Sequence, residues 1–446
     1  MTLTWRGVAL AALGVIPAVL FPVPLTVLVW SLLVVAACLL DIALAASPRQ
    51  VAVSRDVPGS VRVNQPATST LTLTHTGARR LRGLVRDAWP PSALLPAAGT
   101  AGATGVPRLG VRTPLSAVDL RPGEGVRTRT AVRATRRGDL VAPFVVIRTL
   151  GPLGLAGRQA RIPLPGRLRV LPEFVSRAHL PSRLARLREL DGRAAVQVRA
   201  SGTEFDSLRE YVDGDDVRSI DWRATARRGD VVVRTWRPER DRRVMIVLDT
   251  GRTSAVRVLD APRIEASIEA ALLLAALAGR AGDRVELLAY DRAVRSRVAG
   301  TSGAGLMAAM AQSLADVQPA LVETDWPAAA AQVRARLSQR ALVVLLTAID
   351  PAVAEAGLLD VVTQLSQRHQ VVVAAVADPE LDELRTGRDG VGQVFDAAAA
   401  ERAGLERAAV AMRLRRRGVE VVEALPADLA PRLADTYLAL KAAGRL

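Results

Sequence analysis

The sequence predicts an α/β doubly wound sheet, preceded by a β-sandwich and an N-terminal transmembrane helical hairpin. Three observations carry this reading. Residues 7–46 are almost wholly apolar, with Pro22 and Pro24 in the middle. From Val51 to about Leu171, short alternating runs are separated by Pro and Gly clusters. From Arg243 onward, apolar runs of strand length alternate with helical ones. A chain of 446 residues exceeds what one core supports, so several domains are expected. The boundaries fall at 1–46 for the hairpin, 47–172 for the sandwich, 173–236 for a linker with a charged segment, and 237–446 for the α/β domain.

Gly7–Phe21 is 15 residues, or ~22 Å as a helix. Leu25–Ala46 is 22 residues, or ~33 Å. The second run spans a hydrocarbon core of ~30 Å, and the first does so once Leu3 and Trp5 join it. The Phe-Pro-Val-Pro link between them is short and uncharged. Arg6 precedes the first run, and Arg49, Arg55 and Arg62 follow the second. Basic flanks on one side and a bare turn on the other place both ends, and the bulk of the chain, in the cytoplasm. Ala43-Leu44-Ala45 looks like a signal-peptidase site, but the apolar stretch is far longer than a secretory core of ~7–15 residues. Retention of the helices is therefore expected.

Val61-Arg62-Val63, Ser69–Thr74, Arg127–Arg133 and Pro143–Arg148 alternate apolar and polar residues, as half-buried strands do. Turn residues cluster between them, which is the signature of a sandwich. Ala97–Gly110 reads as a loop. Pro181–Leu190 reads as a helix, and Ala194–Thr203 as a lead-in to the next domain.

Leu208–Trp236 is dense in both charges, at Arg209, Glu210, Asp213, Asp215, Asp216, Arg218, Asp221, Arg223, Arg227, Arg228 and Asp230. Asp213–Asp216 lacks the ligand spacing of a calcium loop. Two readings of the segment stand. It is an ion-paired piece anchored by Tyr211, Trp222 and Trp236, or it is a docking surface formed by Arg209, Glu210, Asp213, Asp215, Asp216, Arg218, Asp221, Trp222 and Arg223. Val231–Arg234 reads as a strand leading to the next sheet.

The α/β domain reads as strands at Val244–Leu248, Arg284–Tyr290, Ala293–Val298, Ala341–Leu346, Gln370–Ala377 and Val419–Glu423. Helices are expected at Pro262–Arg280, Gly305–Leu314, Pro327–Leu337, Val353–Arg368, Ala397–Arg417 and Leu429–Ala443. Continuous apolar strands are what a parallel sheet requires. The first strand ends in Asp249-Thr250-Gly251-Arg252-Thr253. That sets a carboxylate and a hydroxyl at the carboxyl edge, where open α/β sheets bind ligands.

The net charge is +16 and Lys441 is the only lysine. No nucleic-acid-binding motif is present and the arginines are spread along the chain, which favours an anionic lipid surface over nucleic acid. Cys38 is the single cysteine, so no intramolecular disulfide forms. His75, His179 and His369 lie far apart, and no cluster has zinc spacing.

The Asp-x-Gly-x-Thr strand end resembles the metal-ion-dependent adhesion site of von Willebrand factor A domains, and the element order is similar to that fold. The segment LREYVDGDDVRSIDW (208–222), Arg136–Leu140 and Leu150–Leu155 resemble the domain-of-unknown-function 58 family. Here Gly151 replaces that family's usual Asp before the Pro. The resemblance implies a Mg²⁺ or Mn²⁺ site at Asp249, Thr253 and Thr324. Gly251 and Ala348 depart from the pattern, and a degenerate site that keeps only the fold is the favoured alternative.

No phosphate-binding loop and no Gly-x-Ser-x-Gly motif is present. The resemblance implies a non-catalytic, membrane-anchored interaction module, an adaptor partner of a MoxR-type AAA+ ATPase. A membrane-bound hydrolase or nucleotide-binding enzyme is the competing class, and an extracytoplasmic adhesion protein a third.

Overall fold

The computed structural model describes residues 2–93, 114–197, 204–213, 215–237 and 242–446. It divides into two compact units, Met1–Leu171 and Pro172–Leu446. The loop expected at 97–110 lies outside the described residues.

The first unit opens with β1 (Thr2–Leu3), α1 (Trp5–Ala12), α2 (Val15–Leu20) and α3 (Pro24–Leu44). The first apolar run forms two short helices interrupted at Leu13 and Gly14. Among the described residues, α3 is the one helix long and apolar enough to cross a membrane. Pro24 starts it, in a first turn where a missing N–H costs nothing.

Both ends of this segment meet one turn of the next domain. β1 pairs with Ala156 and Gly157, and the Thr4 hydroxyl donates to the Gly154 carbonyl at 2.6 Å. At the other end, the buried Asp41 carboxylate accepts the backbone N–H groups of Leu153 (2.8 Å), Leu155 (2.7 Å) and Ala156 (2.9 Å). Arg158 and Arg79 donate to the carbonyls of Ile42 (2.9 Å) and Ala43 (2.8 Å). These are the last carbonyls of α3, where positive groups are favoured. A Cβ at Gly151 would lie 2.1 Å from the Asp41 carboxylate. The turn has no aspartate of its own because α3 fills that space with one.

Among the described residues, eight strands complete the unit with β1. They are β2 (Val51–Asp56), β3 (Ser60–Arg62), β4 (Pro66–His75), β5 (Leu81–Asp87), β6 (Ser116–Leu120), β7 (Gly125–Arg133), β8 (Gly138–Leu150) and β9 (Ala156–Leu171). One sheet runs β1-β9-β8-β5-β6 with β3 on β9, and the other runs β2-β4-β7. Leu71 and Leu73 of β4 share a core with Leu81 and Val85 of β5 and Val145 and Ile147 of β8. The two-residue period of β4 puts one face inward.

A polar cluster lies within this sandwich. The Arg55 guanidinium pairs with Asp87 at 2.6 Å, both side chains buried. It also donates to the carbonyls of Ala142 (2.9 Å) and Leu164. Asp87 further accepts from Ser69 (2.6 Å) and the Trp89 indole (2.8 Å). Arg55 is therefore not a flanking charge of the apolar segment, as its position in sequence suggested. Its charge is spent holding β2, β5, β8 and β9 together. Removing one partner of a buried pair strands the other, at a cost of about 3–5 kcal/mol. Arg55→Met should lower the unfolding free energy of the detergent-solubilised protein by that order in urea. Arg55→Met with Asp87→Leu should recover part of the loss, whereas additive losses would show that the pair is not coupled.

The second unit begins with a 3₁₀ turn and α4 (Leu180–Gln197), which extends seven residues beyond the expected end. The lead-in expected from Ala194 is helical to Gln197, and 198–203 lie outside the described residues. β10 (Glu204–Glu210) and β11 (Val232–Arg237) pair with each other in a separate two-stranded sheet, with α5 (Trp222–Arg228) between them. β11 thus does not extend the next sheet.

That sheet begins with β12 (Arg243–Asp249). The hairpin β13 (Arg257–Val258) and β14 (Ala261–Pro262) leads into α6 (Arg263–Arg280). Then come β15 (Arg284–Tyr290), β16 (Val294–Val298), α7 (Ala304–Ala315), α8 (Trp326–Arg334) and β17 (Leu342–Leu346). α9 (Pro351–Val353), an irregular turn, α10 (Leu359–Ser366) and β18 (Gln370–Val376) follow. α11 (Pro379–Thr386), α12 (Val391–Arg415), β19 (Glu420–Ala424) and α13 (Pro426–Ala442) close the chain. The order is β16-β15-β12-β17-β18-β19, parallel except for β16. Val244, Ile246 and Leu248 point to a core with α6, α7 and α13. Met245 and Val247 point to a core with α8, α10 and α12. Helices therefore cover both faces. The only lysine, Lys441, lies buried 3.4 Å from Asp283, which also accepts from the Tyr437 hydroxyl at 2.5 Å.

Candidate functional site

β12 has β15 on one side and β17 on the other. The chain moves one way from β12 to β15, then crosses back to β17. The carboxyl ends of β12 and β17 thus flank the switch point where such sheets bind ligands. Asp249 ends β12 there, and its side chain is buried.

Its carboxylate is surrounded by donors. Oδ1 accepts from the Gly251 N–H at 2.8 Å and the Thr324 hydroxyl at 2.5 Å. Oδ2 accepts from the Thr347 hydroxyl at 2.6 Å and the Thr253 hydroxyl at 3.3 Å. The expected trio Asp249, Thr253 and Thr324 is thus together. Thr347, just past β17, joins it; its place in sequence was visible, but its contact depends on strand order. Ser254 also binds the Asp249 carbonyl at 2.7 Å.

Gly251 is required by close approach. A Cβ there would lie 2.3 Å from the Thr324 hydroxyl. Asp350 does not reach Asp249; it lies 3.5 Å from Arg263, whose guanidinium also donates to the Thr253 carbonyl at 3.3 Å.

The loop carrying Thr324 is stitched in place by backbone. Arg252 N–H donates to Val322 (2.7 Å), Ala320 N–H to Thr250 (2.7 Å) and Asp325 N–H to Asp291 (2.9 Å). Asp291 is buried at the start of the turn between β15 and β16 and accepts from Arg295 (2.7 Å), the Arg292 and Ala293 amides, and Thr250 (3.1 Å). Sequence reading missed this brace. Burial pushes the Asp291 carboxyl up, but the bonds from Arg295, the two amides and Thr250 outweigh it and hold it below the ordinary carboxylate range.

Above Asp249 an open cleft, about 310 Å³ with the solvent at its mouth included, is lined by Asp249, Arg252, Thr253, Glu323 and Thr324, with Trp326, Ala352, Val353 and Ala356 as an apolar wall. The irregular turn Ala354–Leu358 shapes that wall; Gly357, at φ 102°, makes it possible.

The charged segment divides by role. Asp215 pairs with Arg209 at 2.5 Å and accepts from the Val212 N–H. Asp216 caps the 3₁₀ turn at Val217, and Asp221 caps α5 and pairs with Arg234 at 2.8 Å. Arg234 and the α5 cap hold the Asp221 carboxyl low, the Ala224 N–H contributing most. Glu210, Asp213, Arg218, Trp222 and Arg223 are exposed. Trp222, at 68 % exposure, is not the anchor that the sequence suggested. The Trp236 side chain lies outside the described residues. The anchors are Val232 and Val233, both buried.

Residues 207–420 match the family described as Protein of unknown function DUF58. The match covers just under half of the chain. The match takes in both the β10–β11 module and the Asp249 site. The chain is 27% identical over 222 residues to Uncharacterized protein Rv1480 of Mycobacterium tuberculosis, covering 48% of this chain and 69% of that protein. Uncharacterized protein Mb1516 of Mycobacterium bovis matches to the same extent. Among solved structures, the CARDB domain of the PF1109 protein from Pyrococcus furiosus matches at 13% identity and a TM-score of 0.20, over 29% of this chain and 92% of its own. The ASH / PapD-like domain of human CEP192 matches at 12% identity and a TM-score of 0.19, over 28% and 89%.

Asp291 makes the second unit's stability depend on acid. A carboxyl held low adds stability above its ordinary pKa, and the gain is lost as pH falls through the lowered value. Asp291→Asn should cost about 2 kcal/mol at pH 7 in urea unfolding. The gap to the unmodified protein should close below about pH 4. A gap independent of pH would remove Asp291's charge from the account.

Proposed function

We propose that the protein is a non-catalytic, membrane-anchored adaptor that docks a MoxR-type AAA+ ATPase at the cytoplasmic face of the membrane and couples its cycle to membrane clients. The observation that carries this is the exposed Trp222. It sits beside Arg223 on α5, with Val212, Val217 and Arg218 exposed in the preceding turns. Tryptophan and arginine are the residues on which protein interfaces most depend. Asp215, Asp216 and Asp221 are committed to local ion pairs and caps, which leaves Trp222 and its neighbours as the free surface.

The second unit reads as von Willebrand factor A-like, on the sheet order, the antiparallel β16 and the Asp249 switch point. Such domains serve as binding modules. An unreactive role for Asp249 fits its surroundings, since four neutral donors already use the carboxylate. The N-terminal segment reads as a two-pass hairpin, supported by its departure from and return to the same turn. Arg6 and Arg49 flank it on that side, which favours a cytoplasmic bulk.

Two measurements test this. Ser60 is exposed; a Ser60→Cys protein should resist impermeant thiol reagents in intact cells and react after lysis. Labelling of intact cells would place the sandwich outside and remove the ATPase from reach. Full-length protein in detergent should capture a purified MoxR-type ATPase, and Trp222→Ala with Arg218→Glu and Arg223→Glu should weaken capture at least about tenfold, the worth of one 1.4 kcal/mol contact. The melting temperature should not change. Undiminished capture would move the docking surface elsewhere.

A further inference from the structure

We infer that the pocket above Asp249 receives a basic side chain of a partner protein, directly and without a metal ion. The inference deepens the interaction-module reading and rests on it, but the pocket is separate from the Trp222 surface.

Proton counting sets the chemistry of the floor. A threonine hydroxyl has one proton to give and lone pairs to accept with. Thr253 and Thr324 both give theirs to Asp249. What they turn to the pocket is acceptor only, so the floor suits a donor such as guanidinium or ammonium and not a carboxylate. Charge agrees: Asp249 and Glu323 line the pocket against a single guanidinium, Arg252, which leans to Glu323 at 3.3 Å. The remaining wall, Trp326, Ala352, Val353 and Ala356, is apolar and suits the methylene stem that Arg and Lys lay along such surfaces.

A divalent ion fits these residues poorly. It takes six or more hard oxygen ligands, which for Mg²⁺ are several waters beside one or two carboxylates. Position 251 offers no hydroxyl, and a side chain there would displace Thr324. Ala348 follows Thr347, and the next carboxylate, Asp350, is held by Arg263. A single organic cation asks for less: two or three acceptors, one net negative charge and a greasy wall.

The probe is N-acetyl-arginine amide, with N-acetyl-norleucine amide as its uncharged stem and N-acetyl-aspartate amide as the acidic rival. Titrated by calorimetry into the full-length protein in detergent with EDTA, the arginine probe should bind and the other two should not. Ala352 is an exposed rim residue, so Ala352→Trp should fill the pocket and abolish binding with the melting temperature unchanged. Glu323→Gln should weaken it severalfold. Failure of the arginine probe to bind at tens of millimolar would overturn the proposal. So would a Mg²⁺ or Mn²⁺ shift of the melting temperature that is lost in Asp249→Asn, or binding of the aspartate probe only with metal. None of these readings involves the ATPase, so they stand or fall apart from the Trp222 result.

Discussion

One buried carboxylate organises the carboxyl edge of the sheet. Asp249 ends a central strand almost wholly out of water, and an ion so placed must be surrounded by donors. The nearest backbone supplies one, Gly251, and the rest come from Thr253, Thr324 and Thr347. Those residues belong to the first turn after β12, to the loop before α8, and to the end of β17. Satisfying one charge therefore fixes three stretches of chain, and the pocket is the space left between them.

The two units handle buried charge differently. In the sandwich, Asp87 meets a full opposite charge in Arg55, and the pair is further tied to carbonyls, a hydroxyl and an indole. In the α/β unit, Asp249 is met by neutral dipoles. The first solution neutralises the site and cross-links strands of two sheets. The second leaves one negative charge in place, spread over hydroxyl groups that border an open pocket. Asp283 is intermediate, with Lys441 and Tyr437 sharing it inside the core; burial still pushes its carboxyl up.

Much of this was legible in the residues, and the exceptions have physical causes. Val244–Leu248 and Leu342–Leu346 read plainly because strands covered on both faces must be apolar throughout. Asp249, Thr253 and Thr324 were found because a strand end followed by a polar turn has a local signature. Asp291 was missed, and the role of Thr347 left open, because their contacts depend on which strands become neighbours. β9 was hidden by Pro163, Pro165 and its glycines, which a long strand bordering β1 and β3 can tolerate. α12 begins at Val391, ahead of the expected Ala397, because Val391, Val394 and Phe395 are exposed and carry no inward pattern. Trp222 stood in both readings of its segment, as anchor and as docking residue, because composition alone does not say which way it faces; the module is held by Val232 and Val233. Nothing local marks the role of Asp41; only the fold brings three amides to it.

That junction has a mechanical meaning. Three N–H groups converge on Asp41, and two arginines grip the last carbonyls of α3. A pull on the helix loads these five bonds side by side, so they share the force and give way together or not at all. A joint built this way transmits tilt and tension to the sandwich with little lost to bending, and the helix acts as a lever arm rather than a tether.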